Sequence, residues 1–124
     1  MVGLPSFLRM VQFVPAAVVA AVVIGACGGG SEATGPPVPT GEQANDPALH
    51  DGRSVYLRSC APCHGLTGQG ASGPRLAGEM VGRYPDVADQ RAVIASGPGV
   101  MPAFENQLST DELDAIVRYT REVL

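Results

Sequence analysis

Three stretches of the chain place apolar residues at helical spacing, and none of residues 48–124 alternates in the manner of a strand. The first stretch begins after Asp46-Pro47, where an aspartate can cap a helix whose first position is proline. Leu49, Gly52, Tyr56 and Cys60 lie along one face. A glycine inside a helix costs about 1 kcal/mol relative to alanine, and a common reason for one is close approach of another backbone. A second helix is predicted over Val87–Ala95, capped by Asp86, with Val87, Gln90 or Arg91, and Ile94 about a turn apart and Gly97-Pro98-Gly99 as its stop. The third stretch is the best signalled. Ser109-Thr110-Asp111-Glu112 is a capping box, and Leu108 with Leu113 can form a hydrophobic staple. Leu113, Ile116, Val117, Thr120 and Leu124 then make one stripe, with Tyr119 beside it. Between the first and second helices, Gly65, Gly68, Gly70, Gly73-Pro74, Gly78, Gly82 and Pro85 predict a loop-rich segment with one helical turn near Arg75–Met80. Val100-Met101-Pro102-Ala103-Phe104 is an apolar loop between breakers. The pattern predicts an all-α fold of three to five short helices over residues 48–124.

The preceding residues read differently. Arg9 is the only charge before a run of 15 mostly apolar residues, Met10 to Ile24. A comfortable membrane span needs about 20, whereas this length matches the apolar region of an export signal. The run ends Ile24-Gly25-Ala26-Cys27, which resembles a bacterial lipobox. That resemblance implies cleavage before Cys27 and lipidation of its thiol and new amino terminus; two or three acyl chains hold a protein stably where one holds it marginally. An ordinary signal beside a free cysteine and an uncleaved anchor helix are the alternatives. Gly28 stands next in place of aspartate, so the usual inner-membrane retention signal is absent. Residues 28–47 are rich in glycine, proline and polar side chains and predict a flexible linker, reaching roughly 25 Å as a coil and up to about 60 Å extended. The expected organisation is a signal peptide over 1–27, a linker over 28–47 and one domain over 48–124.

A domain this small buries little surface by itself. With three Phe, three Tyr and no Trp, its core is expected to be completed by something other than protein. All eight basic residues are arginines, and seven of them stand against twelve Asp and Glu beyond Cys27. That acidic balance without a basic cluster excludes nucleic acid as a partner.

Candidate chemistry concentrates at Cys60-Ala61-Pro62-Cys63-His64. Two thiols and an adjacent imidazole at this spacing fit covalent attachment of a c-type haem, each thiol forming a thioether to one vinyl group. Zinc would need a second pair of ligands, which His50 alone cannot supply. A redox dithiol would need a strand–helix setting. A plain disulfide leaves the adjacent histidine and the export signal unexplained. Met101, Met80 and His50 are the candidates for a second axial ligand. Met101 stands 37 residues after His64, with a whole helix between, and Pro102 pins it. Met80 comes only 16 residues after His64, inside the glycine-rich wrap, and is expected near a haem edge or on the surface. His50 precedes Gly52 and is expected to be exposed.

Over residues 48–124 the chain resembles the small class I cytochromes c. The resemblance rests on Gly52-x-x-x-Tyr56-x-x-x-Cys60, Gly73-Pro74-Arg75-Leu76-Ala77-Gly78, Gly97 to Phe104, and Leu108 to Leu124 with Tyr119. It implies that His64 is the proximal iron ligand, hydrogen-bonded to the carbonyl of Pro74, that Met101 is the distal ligand, and that Gly52 meets Tyr119 where the first and last helices cross. It further implies a one-electron carrier rather than an enzyme, holding one covalent haem c, serving redox partner proteins and taking no small-molecule substrate. With the signal, this carrier is expected to be exported and lipid-anchored to a membrane through Cys27, facing the periplasm or cell exterior. A subunit of a larger dehydrogenase or oxidase is an alternative, as is a peroxidase or gas-binding haem protein. For the latter, Glu105 is the nearest carboxylate to the distal loop and reads as a solvated loop residue.

Overall fold

The computed structural model describes residues 35–124. The apolar run and Cys27 lie outside the described residues. A 3-10 turn over Gly41–Asn45 leads into α1 (Pro47–Val55), a π-helical turn (Tyr56–Cys60) and α2 (Ala61–His64). After a long loop come α3 (Met80–Arg83), α4 (Val87–Ser96) and α5 (Thr110–Glu122). The fold is all-helical, with no strand among the described residues.

Each long helix starts where its cap lies in the sequence. The Asp46 carboxylate accepts from the Ala48 N–H at 3.0 Å, and that of Asp86 from the Ala88 N–H at 2.8 Å. Ser109 and Glu112 form the reciprocal capping box at α5. The apolar stripes of α1 and α5 then bury one another: Leu49, Val55, Tyr56, Leu113, Ile116, Val117 and Tyr119 are all buried. Gly52 lies at the crossing, where a Cβ would stand 2.3 Å from the Ala115 carbonyl oxygen and 2.7 Å from the Tyr119 Cβ. The Tyr56 and Tyr119 rings pack beside it, 5.6 Å apart and tilted by 45°.

The first helix does not stop at the cysteine pair. It continues to His64 by inserting the π-helical turn, in which the Ala61 N–H bonds to the Tyr56 carbonyl. Pro62 has no N–H to give the Arg58 carbonyl, so a regular ladder is interrupted here in any case. One extra residue in a turn rotates the downstream side chains by about 100° relative to an unbroken helix.

Three expectations are corrected. The helical turn expected near Arg75–Met80 forms at Met80–Arg83 instead, because Gly78 adopts a left-handed conformation (φ 74°) that no right-handed helix sustains. Val87 does not face inward: it is half exposed, whereas Gln90 is 1% exposed. Finally, the described part of the segment expected as a flexible linker is docked on the domain. Pro36 and Pro39 are buried, and the segment is hydrogen-bonded to α1 and α5.

Candidate functional site

One face of the α2–α5 assembly encloses a cavity of about 320 Å³. Cys60, Cys63 and His64 form one part of its wall, the Gly73-Pro74 turn another, and Val100 to Pro102 with Phe104 a third.

His64 is 9% exposed, and its Nδ1 lies 2.8 Å from the Pro74 carbonyl oxygen. A carbonyl only accepts, so Nδ1 carries the proton and Nε2 keeps its lone pair for a Lewis acid. The ring is also clamped sterically. A Cβ on Gly73 would come 2.8 Å from His64 Cε1, and the Gly73 N–H binds the Cys63 carbonyl at 2.7 Å. Glycine is therefore needed for the loop to lie flat on the imidazole. Nearby, the Tyr56 hydroxyl donates to the Gly65 carbonyl at 2.5 Å, tying the end of α2 to the α1–α5 core. Burial pushes the Cys60 thiol up to about 12, so this wall favours sulfur in a neutral form. Cys63 is exposed at the rim.

The Met101 loop is built on the end of α4. The Phe104 N–H bonds to the Ala95 carbonyl at 3.0 Å, and the Met101 N–H to the Pro98 carbonyl at 3.2 Å. Gly97, with φ 62°, ends α4 so tightly that a Cβ would stand 2.3 Å from the Pro102 backbone. The half-buried Met101 thereby lines the cavity, as does Met80, which is 4% exposed and far from the surface position that was one expectation for it. His50 is not brought to the cavity: it is exposed, with Nε2 2.8 Å from the Ala44 carbonyl. Among the described residues no three His, Cys, Asp or Glu side chains gather as a metal-binding group.

Six polar lining residues were not singled out as site residues by sequence reasoning: Ser59, Ser72, Arg83, Tyr84, Gln90 and Thr120. Gln90 is the notable one. Its Nε2 donates to Thr120 Oγ1 at 2.8 Å, and its Oε1 accepts from Arg121 Nη1 at 3.0 Å. Arg121 also donates to the Tyr84 carbonyl at 2.7 Å, which joins α4, α5 and the loop before α4 behind the cavity. The available signal was an amide at a central position of an otherwise apolar helix face.

The wall thus offers two thiols, an imidazole nitrogen with a free lone pair and two thioethers around a mainly apolar space. That donor set fits a flat, apolar iron macrocycle attached through sulfur, which defines a small helical haem-binding domain. Comparison with known proteins agrees. The family described as "Cytochrome C oxidase, cbb3-type, subunit III" matches residues 47–119, and the chain belongs to this cytochrome c family. Cytochrome c-551 of Bacillus subtilis is 36% identical over 81 residues, which are 65% of this chain and 69% of that protein. Among solved structures, dihydro-heme d1 dehydrogenase NirN superposes with a TM-score of 0.55 at 34% identity, over 60% of this chain and 16% of its own. Cytochrome c6C from a Synechococcus species gives a TM-score of 0.51 at 26% identity, over 58% of this chain and 92% of its own. The chain thus spans about a sixth of the dehydrogenase and nearly all of cytochrome c6C. Family membership brings covalent haem c, with Cys60 and Cys63 at the spacing of its attachment motif, and places the chain among electron-carrying proteins.

Proposed function

We propose that this protein is a lipid-anchored, single-haem electron carrier working outside the cytoplasmic membrane, with Cys60 and Cys63 attaching the haem and His64 and Met101 as its axial ligands. The observation that carries this reading is the His64 Nδ1 contact with Pro74 at 2.8 Å, in a wall shared with both cysteines and faced by the Met101 loop. Haem c supplies a reversible one-electron couple. The chain's own residues do the rest. Pro74 orients the imidazole and raises its basicity, Met101 would offer its thioether to the iron from the Val100–Pro102 loop, and the mainly apolar lining would limit water at the site. His/Met ligation and burial both raise the reduction potential. The exposed rim at Cys63 is where a partner would approach, through the small transient contact that redox proteins use.

Two results test it. Ferric protein should show the methionine-to-iron charge-transfer band at the red edge of its visible spectrum, and Met101→Leu should abolish it; a band that survives the substitution removes Met101 from the role. Cys27→Ala should release the protein from membranes, and continued tight binding would sink the anchor. A second reading, a fixed subunit of a larger oxidoreductase, is favoured by the oxidase subunit in the family's description. It predicts a partner that co-purifies stoichiometrically through size exclusion.

A further inference from the structure

Among the described residues the cavity wall holds a single arginine, Arg83, and no Asp or Glu. Arg53, Arg58, Arg75, Arg91, Arg118 and Arg121 each donate to a carboxylate or a carbonyl. The Arg83 guanidinium has no such partner among the described residues, and neither has the hydroxyl of Tyr84, which lines the same wall. The backbone beneath the pair is fixed. The Arg83 N–H binds the Glu79 carbonyl and the Tyr84 N–H the Met80 carbonyl, each at 2.9 Å. From behind, Arg121 donates to the Tyr84 and Pro85 carbonyls at 2.7 and 3.3 Å and to Gln90 Oε1 at 3.0 Å. The buried Gln90 thereby ties the pair to α4 and α5.

Haem c brings a polar requirement of its own. It carries two propionate carboxylates on the edge opposite the vinyl carbons that the thiols take, and a carboxylate left unpaired against apolar walls is costly. The other uncommitted polar side chains are poorer partners. Ser59 adjoins Cys60, Ser72 adjoins the Gly73 turn that packs on His64, and neither carries a charge. Gln90 and Thr120 are already bonded to each other at 2.8 Å.

We propose that Arg83 and Tyr84 bind the haem propionates, and that the Arg83 pairing makes the haem easier to reduce. This rests on haem attachment at Cys60 and Cys63. A carboxylate near the iron favours the ferric state, which carries one more positive charge, and a guanidinium that neutralises the carboxylate removes part of that preference. Arginine suits the task, because its planar fork meets a carboxylate through two bonds and keeps its charge. Arg83 is exposed, so solvent screens the pair and the effect is moderate.

The test uses the holoprotein, produced with a haem precursor that carries a heavy carbon isotope at the propionate carboxyls. A redox-difference infrared spectrum then isolates those carboxylate bands. Arg83→Leu should displace them and lower the equilibrium constant for reduction by a fixed mediator at least three-fold, about 28 mV for a one-electron couple. Arg83→Lys keeps the charge and should recover at least half of that shift. Tyr84→Phe should displace the bands by less, and bands left in place remove Tyr84 from the role. Arg91→Leu makes the same change in net charge on a residue outside the cavity wall, and should leave the bands where they are. Bands unmoved in Arg83→Leu, or moved equally by Arg91→Leu, overturn the pairing. Displaced bands with an unchanged reduction constant, or a fall that lysine does not recover, overturn the tuning. Attachment at the cysteines fails by a different sign, the label leaving the wild type in acid–acetone, and the infrared comparison is read whichever way that falls.

Discussion

At the scale of single residues, the two methionines in the cavity wall are chemically equal and differ in their surroundings. Met101 sits on a loop braced by Pro98, Pro102 and the end of α4, while Met80 opens the four-residue α3. Replacing each by leucine separates ligand from packing. Met80→Leu conserves volume and should cost under about 1.5 kcal/mol while leaving the axial spectrum intact; Met101→Leu should change the spectrum and lower the potential. Gln90 behaves differently again. Leucine there removes one acceptor from Arg121, which keeps the Tyr84 and Pro85 carbonyls, and one donor from Thr120, whose hydroxyl still binds the Ile116 carbonyl. Because both partners retain other bonds, the loss should be about 1 kcal/mol. For a domain of this size that corresponds to about 4–8 °C in Tm, measurable by calorimetry.

At the scale of elements, the α1–α5 crossing sets the tolerance of the fold. Gly52→Ala would recover about 1 kcal/mol of helix propensity. Against this stands a Cβ driven into the Ala115 carbonyl, part of a helix that cannot turn aside. Overpacking of this kind costs about 1–3 kcal/mol and occasionally more. A Cβ 2.3 Å from a backbone oxygen belongs at the upper end of that range, so after the propensity gain chemical denaturation should show a net loss of about 2 kcal/mol. The caps are a separate handle. Ser109→Ala should cost about 1 kcal/mol by freeing the Glu112 N–H. The caps also respond to acid. Hydrogen bonds from Arg118 hold the Asp46 carboxyl below its usual range, and the Ser109 backbone N–H does the same for Glu112. A lowered folded pKa stabilises above the unfolded value and is lost as pH falls through the folded one. Stability should therefore fall below about pH 4, weakly, since both groups face solvent.

The alkaline limb belongs to the whole molecule, because it reports the joint burial of two tyrosines from different helices. Burial pushes the phenols of Tyr56 and Tyr119 up to about 12. For an acid whose folded pKa is raised, the folded state holds its proton longer. The stabilisation is complete below the unfolded pKa and is lost as pH rises from about 10 toward 12. Thermal melts across that window should steepen in their decline, and Tyr119→Phe should flatten part of it. The cavity gives the other global prediction. With Cys60→Ala and Cys63→Ala, haem should no longer survive acid–acetone extraction. The protein should also lose cooperative melting, since a domain this small has an apolar space where a larger one has side chains.

Local signals were legible in the sequence because they act locally. Asp46, Asp86 and the Ser109–Glu112 box announce helix starts through bonds spanning two or three residues. The stripe of α5 reflects a 3.6-residue period. The Cys60–His64 spacing names its cofactor because both thiols and the imidazole lie within about one turn. Features that depend on chain segments far apart in sequence were not legible. Gly78 could be read as a loop residue, but only its left-handed backbone moved the helical turn to Met80–Arg83. Gln90 can be placed on the inner face of its helix, but its partners Thr120 and Arg121 lie some thirty positions on and meet it only in the fold. The prolines at 36–39 read as a solvated linker until Arg53 and Tyr119 bind their carbonyls. By itself the sequence determined the capping chemistry of the helix boundaries, the all-helical class and the haem motif, each of which is settled within a few residues. Tertiary structure alone decided that Gln90 binds Thr120 and Arg121, that Met80 is buried against the cavity, and that the carbonyls of Pro36 and Pro37 meet Arg53 and Tyr119, because partners far apart in the chain have no local signature and meet only when packing delivers them.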